Sequence, residues 1–304
     1  MIPTFYRQKG KTQTGVIDLK NKDFKCENIA QFPEGGLQDC AGGMIDGTIY
    51  VCGGFMHGLG FNSKCWKIEN KLWKTSFPLK IARLNSAYSV LGNKLAISGG
   101  RSSYNAGFGL TEVMTKEGTN YNVNIGYAIL GHCQVTWNAT TYLIIGGNNG
   151  IKKTTFVNIE DQKTSPGPDL KQGRASHGCT ELELNDKQYV IVTGGMADGS
   201  RLKTVEYLSK EQPTEWEFGT EFPVAISNHE MVASHSKTTV YTIGGIFTPG
   251  GITAHVYESS CPNDSVASCT FTKTDVVVDL DQPEHLINFV PITISNEMAE
   301  ELCN

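Results

Sequence analysis

The sequence lacks several features that would assign it to a broad functional class. No apolar run approaches the length of a membrane span. The 26 basic residues are outnumbered by 31 acidic ones, giving a net charge of −5, and they do not cluster. We therefore expect neither nucleic acid nor a membrane as a partner. No helical period extends far, which disfavours a helical fold.

The common catalytic signatures are also missing. The chain has no Gly-x-Ser-x-Gly elbow, His-Glu-x-x-His helix, P-loop or dinucleotide fingerprint in context. The Ser-x-Asp-x-Gly-x-x-Trp box of sialidase-type propellers is absent too. No acidic pair stands out at corresponding positions of the chain, which argues against glycoside hydrolysis. A catalytic site would therefore have to be assembled from histidines, cysteines and amides of separate segments.

The chain contains instead five copies of a hydrophobic run that ends in two glycines. The first copy is 48–54, and the first glycine of each pair is Gly53, Gly99, Gly146, Gly194 or Gly244. The steps between them are 46, 47, 48 and 50 residues, which indicates a structural repeat. A β-branched and aromatic run of this kind predicts a buried strand, and each strand must belong to a sheet stacked on its neighbours.

Three further strands are predicted around each copy. A first strand precedes the copy, at 40–45, 87–91, 133–137, 178–184 and 231–234. A third follows it, at 63–68, 111–115, 154–159, 203–208 and 253–258. A fourth is predicted at 72–77, 121–125, 216–218 and 269–278, and is weak in the third copy, where 163–168 is poor strand material. Four antiparallel strands at this period are typical of a propeller blade.

This pattern resembles the kelch-repeat family. The resemblance rests on the strand ending in Gly-Gly and on an aromatic residue near the fourth strand, at Trp73, Tyr121 and Trp216. It implies an all-β, six-bladed β-propeller in a single domain, 1–304, with four antiparallel strands per blade. Blades 1 to 5 would span 37–79, 83–127, 131–171, 174–224 and 228–279. As a whole chain, without a motif to quote, the protein is also similar to the luciferases secreted by bioluminescent marine worms.

The two ends of the chain are predicted to share the sixth blade. The segments 4–10, 14–19 and 23–28 follow the order of second, third and fourth strands, while 285–292 has the character of an isolated first strand. Blade 6 would thus combine about 1–33 with 280–304 and close the ring. The tail 296–302 predicts a short helix, and Cys303 beyond it could pair with Cys26.

The cysteines bear on the compartment. The first residues show no signal-peptide pattern, which fits either a cytosolic protein or a mature secreted chain. Nine cysteines favour the secreted, extracellular alternative. We predict disulfides Cys261–Cys269 and Cys52–Cys65, because each pair lies on adjoining strands or flanks one hairpin. Glycosylation sequons begin at Asn138 and Asn263, both in predicted loops.

Counting back from each Gly-Gly predicts which side chains line a central channel. Thirteen residues before the first glycine stand Cys40, Ser86, Cys133 and Met231, and Cys179 joins them if 185–186 is an insertion. Strand alternation would point all five into the channel, where Cys40, Cys133 and Cys179 are predicted to contact a substrate. Cysteine is also a small buried hydrophobe, so packing alone could explain its presence there.

Four histidines fall near the start of the predicted first strands, namely His132, His177, His229 and His285. They could be structural groups between blades, acid–base catalysts, or metal ligands. We predict all four as catalytic residues, with His177 and His229 as the acid–base pair, and assign no metal. His235, predicted in the turn that leads into a second strand, and His57, predicted in an outer loop, are expected to take no part in the chemistry.

The residues after each double glycine are predicted to form a rim around the channel. They include Phe55, Arg101, Asn148, Met196 and Ile246, with Tyr104 in one of the long glycine-rich loops. Aromatic and apolar side chains with one arginine favour a flat, partly polar organic molecule as substrate, anchored by Arg101. The loops could equally be merely flexible.

Three functions are compatible with these features. One is an enzyme acting on a small aromatic or heterocyclic molecule, with histidine as base and no organic cofactor. Such an oxidoreductase, an oxygenase or luciferase, would use molecular oxygen as co-substrate. Another is a non-catalytic module that binds protein or glycan through its rim. A radical copper oxidase like galactose oxidase is the third, although its seven-bladed plan and copper site are not reproduced. In each case we expect a monomer.

Overall fold

The computed structural model describes residues 7–8, 11–12, 14–19, 26, 29–35, 37–56, 58–102, 107–278 and 289–303. Each repeat forms one four-stranded antiparallel sheet, and we number these sheet 1 to sheet 5 in chain order. Within each sheet the strands lie side by side in the order of the chain. The fold is therefore all-β, as the repeats predict.

The observed strands begin and end close to the predicted positions. Sheets 1 and 2 consist of Ala41–Ile45, Thr48–Cys52, Cys65–Glu69 and Leu72–Ser76, and of Ala87–Leu91, Lys94–Ser98, Leu110–Thr115 and Gly118–Asn124. Sheets 3 and 4 consist of Cys133–Thr136, Thr141–Ile145, Thr154–Asn158 and Lys163–Pro166, and of Gly178–Leu184, Lys187–Thr193, Val205–Ser209 and Glu217–Phe218. Sheet 5 consists of Glu230–Ala233, Val240–Ile243, His255–Ser260 and Thr270–Val277. The weak fourth strand of the third repeat does form.

The double glycines allow a close approach between backbone segments. Gly54 has a φ of +87°, and a Cβ on it would lie 2.5 Å from the carbonyl oxygen of Gln38. A side chain would meet both a steric clash and a strained conformation there. Glycine therefore ends each second strand where the chain turns past the segment that leads into a first strand.

Short strands at this end of the sheets form a rim. Leu37–Gln38 pairs with Phe55–Met56, which pairs with Gly60–Phe61. The same arrangement recurs in Ala225–Ser227, Ile246–Thr248 and Gly251–Ile252, while Met196–Ala197 pairs with Ser200–Arg201. The predicted rim residues do lie at one end of the sheets.

A belt of backbone hydrogen bonds links successive sheets beside the rim. Each first strand is preceded by a residue with φ between +53° and +60°, at Asp39, Asn85, Gly131, Ser176 and Asn228. The N–H of Gly131 donates to the Asn85 carbonyl (3.2 Å), that of Ser176 to Gly131 (2.7 Å) and that of Asn228 to Ser176 (2.8 Å). This belt holds the first strands of sheets 2 to 5 beside one another, where they pack in chain order.

Two buried ion pairs fix the segments that lead into sheets 2 and 4. Arg83 Nη2 donates to Glu112 Oε1 at 2.5 Å, and Arg174 Nη2 donates to Glu206 Oε1 at 2.6 Å, with all four side chains 0% exposed. Each glutamate also accepts two consecutive backbone N–H groups from the segment before the arginine. These contacts satisfy charges that would otherwise be costly to bury.

The C-terminal segment lies between sheet 5 and sheet 1. Phe289 packs in the cluster of Val232 and Tyr241 in sheet 5, whereas Val290 and Ile292 pack with Ile49 in sheet 1. Helix Asn296–Cys303 follows and confirms the predicted short helix. Residues 289–295 hold no assigned strand, and the predicted strand at 285–292 begins outside the described residues.

The N-terminal segments are described only in part. Arg7–Gln8 pairs with Lys11–Thr12 as a hairpin. Residues 14–19 have no assigned strand, but Ile17 packs against the cluster of sheet 5 and Phe289. Thr14 Oγ1 accepts a hydrogen bond from Trp73 Nε1 in sheet 1 (2.9 Å). Residues 14–19 and the segment that begins at Phe289 thus both contact the first and last sheets.

Four disulfides cross-link the chain. Cys52–Cys65, Cys261–Cys269 and Cys26–Cys303 are the pairs that the sequence predicts. A fourth, Cys133–Cys179, joins the first strands of sheets 3 and 4. Four disulfides fit an oxidising compartment. In the part of the chain that the structure describes, no helix is both long and apolar enough to cross a membrane.

Candidate functional site

A cavity of about 550 Å³ lies between the five first strands and residues 291–293. At the end nearest the rim it is bounded by Ser86, His132 and His177. At the opposite end, where first strands turn into second strands, it is bounded by Ser234, His235 and Lys237. We call these the rim end and the hairpin end. His235 and the side chain of Lys237 are exposed, so the cavity meets solvent at the hairpin end.

The observed register corrects the alignment made by counting back from the glycines. The residues that pair with the position before Gly-Gly are Ala41, Ala87, Cys133, Gly178 and Glu230. The count was wrong because the connections differ in length: Ile45 pairs with Thr48, but Thr136 pairs with Tyr142 and Ala233 with Val240. Each longer turn shifts its first strand by one or two residues relative to the count from the glycines. A shift of one residue moves every side chain of that strand to the opposite face of the sheet.

The predicted cysteine ring is altered by this register and by the fourth disulfide. Cys133 and Cys179 line the cavity, but as a disulfide rather than as thiols that contact a substrate. Ser86 and Met231 also line it, as predicted. Cys40 is a buried free thiol outside the lining. Burial raises the pKa of the Cys40 thiol, with nearby Asp39 adding to the effect, so it is not a reactive thiolate.

His132, His177 and His229 share one register position, immediately before the paired residues Cys133, Gly178 and Glu230. Each ring packs against the double glycine of the preceding sheet. A Cβ on Gly99 would lie 2.8 Å from His132 Cε1, and equivalent contacts join Gly146 to His177 and Gly194 to His229. The three rings therefore pack between adjacent sheets.

Their hydrogen bonds and charges oppose the acid–base role predicted for His177 and His229. The N–H of Gly178 donates to His229 Nε2 (3.2 Å), so this nitrogen is an acceptor and the ring is neutral. Burial and then the Arg174 guanidinium lower the pKa of His229 to about 3 and that of His177 well below its usual range. A base this weak is poorly matched to neutral pH.

The remaining predicted histidines give no second pair. His132 Nε2 lies 2.9 Å from Ser98 Oγ, and burial lowers its pKa to about 3. Neither buried ring nitrogen of His177 has a hydrogen-bond partner in the described structure. Ser98 and Thr193 provide a hydroxyl to His132 and His229, whereas the equivalent residue beside His177 is Ile145, which has none. His285 lies outside the described residues. Of the four histidines predicted at the site, the three that the structure describes are thus structural groups.

The predicted substrate-binding residues of the rim do not reach the cavity. Phe55, Arg101, Asn148 and Met196 are absent from its described lining. Asn148 instead accepts the N–H of Leu130 through Oδ1 (3.1 Å) and so fixes the local backbone. Tyr104 lies outside the described residues. The rim and the cavity are therefore separate surfaces.

The structure reveals two carboxyl groups that the sequence reasoning missed. Glu230 lines the cavity in the first strand of sheet 5, and Asp39 precedes the first strand of sheet 1. Burial raises the pKa of Glu230 to about 8, with the charge of Asp39 as the second cause. Burial raises that of Asp39 to about 7, although Arg101 opposes the shift. The two carboxyl groups form an acidic pair that the sequence did not predict, because they do not occupy corresponding positions of the repeat.

Alignment with the correct register would have shown one of these groups. Glu230 occupies the position held by Ala41, Ala87, Cys133 and Gly178, so it is the single ionisable carboxyl at that level. Asp39 gives no such signal because aspartate, like asparagine, is common where φ is positive. The effect of its charge on Glu230 arises only from the tertiary fold, because the two residues are far apart in the chain.

Tyr88 and Cys40 complete this group of titratable side chains. Tyr88 lines the cavity from sheet 2, and its pKa lies well above the usual value because of burial and then the charges of Glu230 and Cys40. At neutral pH it is a phenol that can donate or accept a hydrogen bond. Glu230, Asp39 and Tyr88 therefore provide two carboxyl groups with pKa values near neutrality and one phenol hydroxyl. Such a set can give or take a proton.

Comparison with known proteins supports the all-β fold and gives no information about activity. No family model matches the chain, and no curated protein matches its sequence. The chain is similar to a solved structure described as "Structure of YjhT", with a TM-score of 0.70 over 89% of this chain and 97% of that one. The two are 13% identical, so the similarity shows a shared all-β fold and nothing about activity.

Proposed function

We propose that the protein is a secreted, six-bladed, kelch-like β-propeller whose ends form the sixth blade. Five sheets pack through their first strands, and residues 289–295 occupy the space between sheet 5 and sheet 1. Cys26–Cys303 ties the two ends together. Secretion is supported by the four disulfides, and the exposed turn at Asn138 could carry a glycan. The sequon at Asn263 lies in the 3₁₀ helix Pro262–Asp264 of the Cys261–Cys269 loop.

We further propose that the cavity is the active site of an enzyme that moves a proton on a small organic molecule. The observation that carries this proposal is Glu230, a carboxyl with a pKa of about 8 that lines a cavity of about 550 Å³. The volume suits a small molecule. A carboxyl matched to neutral pH contributes roughly a hundredfold to ten-thousandfold in rate.

The roles of the residues follow from their protonation. At pH 7 Glu230 is mostly protonated and can donate its proton, while its ionised minority can remove one from a bound substrate. The charge of Asp39, whose own pKa is about 7, contributes to the raised pKa of Glu230. Tyr88 offers a hydroxyl to an oxygen of the substrate. Apolar walls at Val90 and Val135 favour an aromatic or heterocyclic body.

Removal of a substrate proton is also the first step of cofactor-independent oxygenation. The oxidoreductase predicted from the sequence therefore remains a proposal, with molecular oxygen as the reagent that would accept electrons from the deprotonated substrate. A proton-transfer enzyme without this second step would need no oxygen. The exchange assay described in the next paragraph, run with and without air, separates the oxygenase from the simple proton-transfer enzyme.

The test is deuterium exchange of small carbon acids in D₂O, followed by NMR. A panel of cyclic ketones, phenols and heteroaromatic compounds is incubated with the wild type, Glu230→Gln and Glu221→Gln. Glu221 is exposed, which makes its variant a matched control. We expect catalysed exchange that falls at least about a hundredfold in Glu230→Gln and not in the control. Equal exchange by both variants would refute the role of Glu230, and saturable binding at the rim without exchange would favour the non-catalytic module.

A further inference from the structure

The hairpin end of the cavity carries a cluster of charged residues that the proposed proton transfer does not use. Glu181, in the first strand of sheet 4, and Lys237, in the turn of sheet 5, both line the cavity there. Lys210 reaches Glu181 from behind the wall. The three side chains together carry one net positive charge.

The two lysines differ in how completely they are paired. Lys210 is 9% exposed, and its Nζ donates to Glu181 Oε1 (2.5 Å) and to the carbonyls of Thr136 (3.0 Å) and Trp137 (3.2 Å). Its three protons are thus satisfied within the wall. Lys237 is 44% exposed, and Glu181 Oε2 is the acceptor that the described residues offer it. One carboxylate is shared by two lysines, so the cluster has one positive charge in excess, and Lys237 is the lysine whose ammonium group is exposed.

The backbone places Lys237 over the opening. It has a φ of +58°, a conformation that a lysine adopts at some cost. Its N–H donates to the Ser234 carbonyl (2.8 Å), and its own carbonyl accepts the N–H of Glu183 from sheet 4 (2.8 Å). The turn is therefore closed by one backbone hydrogen bond and fastened to sheet 4 by the other, which places Lys237 beside the cavity.

We propose that the cavity selects small organic anions, with a carboxylate held by Lys237 at the hairpin end and an apolar body between Val90, Val135 and Val232. This inference rests on the proposed function and specifies its substrate class. The rim end of the cavity is uncharged when Glu230 is protonated, so an anion enters by the hairpin end and its neutral part meets Glu230. An ammonium ion that is only partly desolvated attracts an anion more strongly than in water.

The probes for the test are benzoate and benzamide, which match in size and differ in charge. Binding is followed through the ¹³C-labelled methyl groups of Met44 and Met231, both of which line the cavity. At pH 7 and low salt we expect benzoate to bind about tenfold more tightly than benzamide, equivalent to ~1.4 kcal/mol at 25 °C. The preference should shrink in high salt, because exposed charges are screened.

Two variants isolate the charge of Lys237. Lys237→Asn removes it while keeping a residue that tolerates positive φ, and Lys71→Asn makes the same change at an exposed lysine with φ +61° in the outer turn of sheet 1. We expect Lys237→Asn to abolish the preference for benzoate and Lys71→Asn to retain it. Glu181→Gln should strengthen benzoate binding, because it removes the competing carboxylate.

The outcomes separate the two proposals. Equal affinities of the wild type for benzoate and benzamide would overturn anion selection while leaving the cavity as a small-molecule site. Retention of the preference in Lys237→Asn would overturn the role of Lys237. Failure of both probes to shift either methyl signal, up to their solubility, would overturn the small-molecule site itself.

Discussion

Glu230→Gln is expected to make the protein more stable at alkaline pH. The folded-state pKa of Glu230 is about 8, above the ordinary value of 4.5. Below pH 4.5 the carboxyl is protonated in both states and contributes nothing. Between pH 4.5 and pH 8 the unfolded chain releases this proton and the folded protein retains it, so the free energy of unfolding falls as pH rises. Glutamine keeps the shape of the protonated form and removes that loss.

The size of the effect follows from the same two values. Each pH unit over which folded and unfolded states differ by one proton changes the free energy of unfolding by about 1.4 kcal/mol. From pH 4.5 to pH 8 the wild type would lose up to about 5 kcal/mol through Glu230. Asp39 adds a loss of the same sign between its ordinary pKa of 3.8 and about 7. The three buried histidines act in the opposite sense below their ordinary pKa of 6.5, because the folded protein keeps them neutral, so the difference between wild type and variant is what isolates Glu230.

The assay is urea denaturation at intervals from pH 5 to pH 9, with the disulfides intact and Glu221→Gln as control. We expect the wild type and Glu230→Gln to be similar at pH 5 and the variant to be more stable by several kcal/mol at pH 9. The control should follow the wild type throughout, because its side chain is exposed. A difference in stability between the wild type and Glu230→Gln that stays constant from pH 5 to pH 9 would refute the raised pKa and with it the proposed role of Glu230.

Three further perturbations test the architecture. Glu206→Gln should lower the free energy of unfolding, measured by urea denaturation, by about 3–5 kcal/mol, because it leaves Arg174 buried without its carboxylate. Glu215→Gln, at an exposed ion pair, should lower it by under about 1 kcal/mol. Equal losses would contradict the importance of burial. The double substitution Cys133→Ser, Cys179→Ser opens a link of sequence separation 46 and should remove roughly 4 kcal/mol, and an unchanged melting temperature would argue against that bond. Deletion of 289–304 removes Val290 and Ile292 from the core of sheet 1 and should unfold the whole domain, whereas a truncated protein that melts like the intact one would disprove closure by the C-terminal segment.

Local features of this fold were predictable because they depend on neighbours in the chain. The spacing of the double glycines located the five sheets, and the strand bounds differ from the prediction by only a few residues. Cys52–Cys65 and Cys261–Cys269 were accessible for the same reason, since each pair lies across one hairpin or on adjoining strands. Where the prediction extended to the faces of the first strands it became wrong, because connections of unequal length change the register.

The candidate site depended on contacts between distant segments. The repeat could not show that Cys133 bonds to Cys179, since their side chains meet only when sheets 3 and 4 pack together. The histidines are titratable residues at recurring positions, which predicted an acid–base role. Burial between sheets lowers the pKa of His229, so it is a poor base at neutral pH.

The sequence by itself determined the repeated strand that ends in two glycines, because hydrophobic alternation and the conformational freedom of glycine are properties of short segments. The tertiary structure decided which carboxyl groups titrate near neutral pH. Glu230 and Asp39 come from opposite ends of the repeated region, and burial raises the pKa of each, with the charge of Asp39 acting on Glu230. Exclusion of solvent and the field of a distant charge exist only once the sheets have packed around the cavity.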